Sequence, residues 1–293
     1  MAIMNGVTEK IIQKIEYFPH QPGVAYQILG DFDRLEITGS QLLRTLEFDI
    51  ATTTNLLKLC NSPEYAAQHG LKEKFGSLQE VIAQLAIGEL KNLVMMIASA
   101  DIFAGGSGSG YEVGKGEMRR HSIATAVVSR RLLPFAPPLH SDLFTSCLLH
   151  DIGKMILNEY IWDHHAKLVA LMDERGCDFS IAEAEILGMT HAEAGARILE
   201  KWQFPPEMIS AVRYHHNPEH VPDSPLTHFV ALADLIAMLM GFATGFDAMD
   251  YKGFPVLCKK YGIKEKDIEL IMMNSIDEIQ SAIPFQHENI KGV

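Results

Sequence analysis

Apolar residues recur at intervals of three and four along most of this chain, the spacing that places them on one face of an α-helix. Alternation of apolar and polar residues, which is typical of strands, is scarce. The helical segments are EKIIQKIEYF, LLKLC and LKNLVMMIASADIF, followed by HSIATAVVSRRLL, DLFTSCLLHDIGK, HAEAGARILEKW, PPEMISAVRYHH and LTHFVALADLIAMLM. The pattern therefore predicts an all-α protein with about a dozen helices.

Two capping boxes mark predicted helix starts. Thr38 precedes Gln41 before LLRTLEF, and Ser77 precedes Glu80 before VIAQLAI. In such a box the hydroxyl and the later side chain each satisfy a backbone N–H of the first turn. We therefore expect a helix to begin after each of these residues.

One segment breaks the helical pattern. Residues 104–118, AGGSGSGYEVGKGEM, hold six glycines and two serines, and such a run cannot sustain a helix. We expect an N-terminal helical subdomain over residues 1–104, a Gly/Ser-rich linker over 105–116 and a second helical domain over 117–293. The segment could equally serve as a lid, because it directly precedes Glu117.

Composition and charge narrow the function classes. With 47% hydrophobic and 21% charged residues, the 293-residue chain has ample material for a packed core. The 25 Lys and Arg against 37 Asp and Glu give a net charge of -12, so we expect no general nucleic-acid binding, although a local basic patch stays open.

The sequence also bears on the compartment. The opening residues lack the apolar core of a secretory signal, and the most apolar stretch, residues 230–246, contains Asp234 and is too short for a membrane span. The four cysteines lie far apart and form no C-x-x-C pair, which argues against a disulfide framework or a cysteine zinc site. We expect a cytoplasmic protein with no membrane partner.

Candidate chemistry is concentrated in the second part of the chain, where eleven of the thirteen histidines lie at or beyond position 121. Several coincide with predicted helix faces or helix ends. These candidates are Glu117 with His121 four residues on, the adjacent His150 and Asp151 with Lys154 one turn later, His191, the pair His215 and His216, and Asp234.

Asp234 is the most informative of these residues, because it interrupts VALADLIAMLM, a helix that is apolar nearly all round. A buried carboxylate needs a partner or a metal ion, and mixed histidine and carboxylate ligands suit iron, manganese or zinc. Each residue taken alone also has a structural interpretation. His215 and His216 could complement a helix dipole, and Lys154 could satisfy the last carbonyls of its helix.

The motifs in this order resemble the HD superfamily of metal-dependent phosphohydrolases, and the whole chain resembles an HDOD protein, the HD-related output domain of bacterial signalling. The resemblance runs from about Phe18 onward. In the first half it rests on FPHQPGVAYQIL, LLRTLEFDIATTTNLLKLCNSPEY and SLQEVIAQLAIGELKNLVM. In the second half it rests on RHSIATAVVSRRL, LLHDIGKMIL, THAEAGARILEKWQFPPEMISAVRYHHNP and ALADLIA, so the resemblance implies that residues 117–293 form an HD-like core.

The resemblance implies a metal-ligand set like that of HD-GYP phosphodiesterases, and many HDOD proteins lack part of it. Asp151 would bridge two ions. His121, His150 and Asp234 would favour one ion, and His191 and His215 the other. His216 could join either ion, and Glu117 would be an optional ligand. Lys154 would orient a phosphate oxygen or the attacking hydroxide.

The sequence departs from HD-GYP enzymes after His216. It reads Asn217-Pro-Glu-His-Val-Pro-Asp-Ser-Pro in place of an acidic residue followed by Gly-Tyr-Pro. This departure weakens the case for cyclic di-GMP as the substrate and leaves other phosphodiesters open.

Two functions follow from the resemblance. One is a signalling output module that binds metal, acts through a protein partner and has little or no turnover. The other is a phosphohydrolase acting on a nucleotide or cyclic nucleotide.

Overall fold

The computed structural model describes residues 6–17, 50–70, 74–103, 116–139, 143–243 and 253–282. Every regular element within these ranges is helical, which confirms the predicted all-α class. The chain divides into two units, the first made of Met1–Pro19 and Phe103–Ser275 and the second of His20–Ile102 and Ile276–Val293.

The described ranges contain fourteen α-helices. In chain order they are α1 (Gly6–Tyr17), α2 (Ile50–Cys60), α3 (Pro63–Gln68), α4 (Leu78–Gln84), α5 (Ile87–Phe103), α6 (Glu117–Leu132), α7 (Leu143–Leu149), α8 (Lys154–Arg175), α9 (Phe179–Leu187), α10 (His191–Lys201), α11 (Pro206–Tyr214), α12 (Pro225–Leu239), α13 (Phe254–Tyr261) and α14 (Glu265–Ala282). Two 3-10 turns lie at Leu133–Phe135 and Pro218–His220.

Helix α12 is the centre of the first unit. Every residue from 226 to 238 is buried, as expected for a helix that is hydrophobic all round. It packs against α6, α7 and α11, while α10 packs against α11 and α8. Asp234 is therefore held in the core of this unit by helix contacts on several sides.

The turn between α7 and α8 carries the sequence HDIGK and lies against the start of α10. A Cβ atom at Gly153 would collide with the carbonyl oxygen of His191 and with the backbone of Gly195. Only glycine allows this close approach of two backbones. The small residue thus brings the turn that bears Asp151 next to the helix that bears His191.

Helix α1 belongs to the first unit and contacts α8 and α10. It buries Thr8, Ile11 and Ile15. The Thr8 hydroxyl donates a hydrogen bond to the Leu187 carbonyl at 2.9 Å, and the Lys201 ammonium donates to the Ile15 carbonyl at 3.1 Å. The lysine thereby satisfies a carbonyl in the last turn of α1.

In the second unit, α2 contacts α3 and α4. The Asn61 side chain holds the segment before α4, since its amide donates to the Phe75 carbonyl at 2.8 Å and its oxygen accepts from the Phe75 N–H at 2.7 Å. The helix start predicted after Ser77 is confirmed, because the Ser77 hydroxyl accepts a hydrogen bond from the Glu80 N–H, while the Glu80 carboxylate accepts from the Gly76 N–H. The box at Thr38 and residues 105–115 of the predicted linker lie outside the described residues.

Two further observations concern the described helices and the cysteines. None of their helices combines the length and apolar character needed to cross a lipid bilayer. All four cysteines are free thiols, and Cys60 and Cys147 are buried.

Candidate metal centre

The helices of the first unit bring most of the predicted ligands together from separate elements. His121 projects from α6, His150 and Asp151 follow α7, and Asp234 lies on α12. His191 begins α10, while His215 and His216 follow α11. We call these residues the His/Asp centre: His121, His150, Asp151, His191, His215, His216 and Asp234. All except the half-buried His216 are at most 2% exposed.

One side of the centre joins α6, α7 and α12. His121 Nε2 lies 3.1 Å from His150 Nε2 and 3.1 Å from Asp234 Oδ1. Asp151 Oδ2 lies 3.4 Å from each of these two imidazole nitrogens. His150 Nε2 is 3.6 Å from Asp234 Oδ1. Four donor groups therefore surround one small buried space.

The other side of the centre joins α10 and α11. His191 Nε2 lies 2.8 Å from His216 Nε2 and 3.5 Å from Asp151 Oδ1. His215 Nε2 is 3.7 Å from the same Asp151 oxygen. The two oxygens of Asp151 thus face two different groups of histidines.

Hydrogen bonds at Nδ1 fix the tautomers of four histidines. The Nδ1 atoms of His121, His150 and His215 face the carbonyl oxygens of Phe242, Cys147 and Val212 at 2.6–2.7 Å. His191 Nδ1 faces the Glu183 carboxylate at 2.7 Å. An acceptor at Nδ1 requires the proton there, so Nε2 is the ring nitrogen that is directed into the centre.

These donors fit a divalent metal ion. Two ligand atoms about 2.0–2.1 Å from one ion, at angles of about 90–110°, lie about 2.8–3.4 Å apart. The separations across the centre run from 2.8 to 3.7 Å. Two of its buried atoms, Asp151 Oδ1 and His215 Nε2, also have no hydrogen-bond partner among the described residues. Such unsatisfied buried atoms commonly mark an ion site.

Lys154, on the first turn of α8, is fully buried and its ammonium donates a hydrogen bond to Asp151 Oδ2 at 2.7 Å. Burial alone would raise the pKa of Asp151, but the charges of Lys154 and His150 outweigh it and hold that pKa well below its ordinary value. Asp151 is therefore a carboxylate and an available metal ligand.

The remaining pKa shifts indicate that the Asp151 and Asp234 carboxylates attract cations on their side of the centre. Burial disfavours the charged form of His150, yet the Asp151 and Asp234 carboxylates overcome it and raise the pKa to about 10. Burial and the charge of His150 lower the pKa of His215 to about 3, so this imidazole is neutral. Burial also opposes ionisation of Asp234, but hydrogen bonds from His121 and His150 keep its pKa well below the ordinary value.

Glu183, on α9, is a residue that motif and spacing did not single out. It is fully buried, and its Oε2 accepts hydrogen bonds from the His191 backbone N–H at 3.0 Å and from His191 Nδ1. Burial lowers the pKa of His191, but the charge of Glu183 outweighs burial and raises it. The sequence could have indicated Glu183 by its position, because it lies on the buried face of α9 together with Phe179, Ala182 and Leu187.

Glu117 is not brought into this arrangement. It is the half-buried first residue of α6, and within the described ranges it belongs to none of the three histidine and acidic groups spaced closely enough to hold an ion. These groups are Asp151 with His191, His215 and His216; His121 with His150 and Asp151; and His150 with His215 and Asp234.

Comparison with known families agrees with the predicted family and fold. The model of the HDOD domain matches residues 18–218, well over half of the chain, so this chain belongs to the HDOD family. The motif order that suggested the resemblance therefore identified the family correctly.

Solved structures share the fold. An HDOD domain protein of unknown function from Geobacter sulfurreducens superposes with a TM-score of 0.74 at 22% identity and covers 94% of this chain and 96% of its own. A candidate phosphohydrolase from Shewanella amazonensis SB2B has a TM-score of 0.64 at 20% identity, covering 93% and 96%. A candidate signal transduction protein from Marinobacter aquaeolei VT8 has a TM-score of 0.70 at 18% identity, covering 97% and 66%. At these identities the likeness establishes the fold alone.

One curated relative is an uncharacterized protein from Treponema pallidum (strain Nichols), 22% identical over 239 residues. The match covers 81% of this chain and 45% of the relative, so the chain spans less than half of that protein's length.

Proposed function

We propose that this HDOD protein is a cytoplasmic signalling output module whose His/Asp centre holds two divalent transition-metal ions, either iron or manganese, with zinc as the alternative. The proposal rests on the position of Asp151, whose two carboxylate oxygens face two different groups of histidines. A carboxylate placed in this way suits a bridge between two ions. The candidate signal transduction protein among the structural neighbours supports the signalling part, which needs a partner protein.

In this proposal the ligands divide along the two sides of the centre. Asp151 with His121, His150 and Asp234 would hold one ion, and Asp151 with His191 and His215 would hold the other. His216 joins the second group, because its Nε2 lies 2.8 Å from that of His191. Glu117 lies outside both groups, and its role as an optional ligand remains a separate hypothesis.

A second candidate function is hydrolysis of a phosphate ester, and Lys154 favours it. A buried lysine beside the bridging carboxylate supplies a positive charge next to the place where a phosphate oxygen would bind. Bound divalent ions would supply an activated water and stabilise charge on the phosphoryl group. Asp151 and Lys154 would hold the reacting groups in place, and the surrounding burial would exclude bulk water.

Metal analysis tests the proposal directly. We expect protein purified without chelator or polyhistidine tag to contain about two equivalents of iron or manganese, and Asp151→Ala to lose both, because the carboxylate would touch both ions. His164→Ala is the matched control, since His164 lies on α8 and its Nδ1 faces the carbonyl oxygen of Tyr160 in the same helix. Metal near zero in the wild-type protein, or full metal content in Asp151→Ala, would overturn the proposal.

Turnover separates the two candidate functions. Sustained hydrolysis of bis(4-nitrophenyl) phosphate or of a nucleotide by metal-loaded protein, abolished in Asp151→Ala, supports the phosphohydrolase. Metal-loaded protein that is inert towards the whole panel supports the output module.

A further inference from the structure

A cavity of about 500 Å³ lies between α12, α13 and the 3-10 turn that follows α11. Four of its lining residues belong to α13, namely Phe254, Val256, Leu257 and Lys260. Ala231 of α12 and His216 of the His/Asp centre also line it. Helix α13 therefore forms one wall of a cavity that reaches a proposed metal ligand.

Little of α13 is buried. The helix has eight residues, and Leu257 alone among them is buried. Gly253 precedes the helix, and Gly262 ends it in the left-handed conformation with a φ of 69°. An isolated helix of this length is unstable in water, so the position of α13 depends on its contacts with the rest of the unit. A short, mostly exposed helix beside a cavity belongs to the least stable part of a fold.

Polar contacts tie α13 to residues 217–222, the segment that directly follows the His/Asp centre. The Lys260 ammonium donates to the Pro222 carbonyl at 2.7 Å. The Tyr261 hydroxyl lies 2.7 Å from Nδ1 of His228 on α12. His228 also forms hydrogen bonds with two backbone carbonyls of the same segment. The segment and α13 are thus held against each other through Lys260 and His228.

This segment begins next to the proposed metal ligand His216. His216 is half-buried, whereas the other members of the His/Asp centre are at most 2% exposed. Its Nε2 lies 2.8 Å from that of His191. Ligation through both rings would fix the His216 side chain and, with it, the start of segment 217–222. A fixed segment favours the arrangement in which its carbonyls meet Lys260 and His228.

We propose that α13 is a lid on this cavity and that metal binding at His216 holds the lid closed. The proposal rests on the metal centre proposed above and adds a regulated element to it. Loss of metal releases segment 217–222, so α13 opens more often and exposes the apolar surface of Ala231 and Leu257. The lid thereby converts the state of a buried centre into a change at the protein surface, where a partner protein can detect it.

Hydrogen exchange of the full chain, measured by mass spectrometry without metal and after loading with manganese, tests the proposal. We expect the amides of residues 254–262 to exchange more slowly in the loaded protein by about fivefold or more, the lower end of the usual coupling between two sites. Helix α1, in the same unit, reports any general stabilisation. Equal exchange of α13 with and without metal, or a slowing no larger than that of α1, would overturn the proposal.

Two substitutions made together remove the ties between α13 and segment 217–222. Lys260→Met removes the ammonium and keeps an aliphatic stem, while Tyr261→Phe removes the hydroxyl and keeps the ring whose centroid lies 4.6 Å from that of Phe229. We expect the double variant to bind metal as fully as the wild type, while its α13 exchanges faster and no longer responds to metal. Lys259→Met, at the exposed neighbouring position, is the matched control and should keep the metal-dependent difference. A double variant that keeps this difference would contradict the lid.

Metal content measured in the same samples separates the two proposals. Full metal with unchanged exchange of α13 removes the lid and leaves the metal centre in place. Metal near zero in the wild-type protein removes the centre and the lid together.

Discussion

Glu183 orients a single imidazole of the His/Asp centre through two hydrogen bonds. Its carboxylate accepts from both the backbone N–H and Nδ1 of His191, so the ring is held with Nε2 facing Asp151. Partners of this kind fix the tautomer and raise the basicity of a ligand. Glu183 is therefore a positioning residue for the proposed metal centre.

Glu183→Gln should weaken metal binding by about 10–100-fold, because the amide removes the charge that supports His191. Competition with a chromophoric chelator measures the affinity, and nitrogen-15 NMR of the His191 ring reports its tautomer. Glu185→Gln on the same helix is the control, since Glu185 pairs with Arg175 at the surface. Metal affinity equal in the two variants would show that Glu183 has only a structural role.

Between elements, an ion-pair cluster joins α10 to α11. Glu193 accepts hydrogen bonds from Arg197 at 2.8 Å and from Arg213 at 2.7 Å, and Arg213 also donates to Glu200 at 2.8 Å. Burial opposes ionisation of Glu193, but hydrogen bonds from the two arginines outweigh it and lower the pKa of Glu193. The cluster holds the start of α10 and the end of α11, which carry His191 and His215.

The lowered pKa sets the pH range in which the cluster stabilises the fold. A carboxyl whose pKa is lower in the folded state contributes stability above its unfolded pKa and loses it as pH falls through the folded value. Glu193→Gln should therefore be less stable than the wild type by about 1 kcal/mol at pH 7, the range of partly exposed pairs. The difference should shrink as pH falls below the ordinary pKa of glutamate, as measured by urea unfolding at pH 7 and at acidic pH. A difference that does not change with pH would contradict this account.

Sequence periodicity was sufficient to predict the helices, because their spacing is a local pattern, whereas the set of candidate ligands came from the resemblance to a family. Asp234 stood out since a charge in an apolar helix is visible in the sequence itself. The role of Glu183 depends on where His191 comes to lie, and the cavity depends on how α13 packs on α12. Such features arise from contacts between distant segments, so spacing within one segment could not reveal them.

At the scale of the whole first unit, the packing of α1 joins segments that are far apart in the sequence. Its buried face contributes Ile11 and Ile15, which are 0% and 5% exposed, while its partners α8 and α10 lie far along the chain. A sequence segment that begins near residue 117 omits this helix. Apolar area on α8 and α10 would then be left uncovered.

Ile11→Ala should lower the free energy of unfolding by about 2–4 kcal/mol, the usual range when a buried branched side chain is reduced to a methyl group. Lys10→Ala, at the exposed neighbouring position of α1, should change stability by about 0.5 kcal/mol or less. Urea denaturation of the full chain compares the two variants. Equal effects would mean that α1 adds little to the packing of this unit.

The docking of α1 also has a consequence for biosynthesis. The ribosome makes this helix before α8 and α10, which bury its apolar face, and the entire second-unit segment up to Ile102 is made in between. Until then Ile11 and Ile15 face water or a chaperone, because a contact so distant in sequence forms late. The unit that holds the His/Asp centre is therefore completed only when α8 and α10 have been made and can pack against this earlier helix.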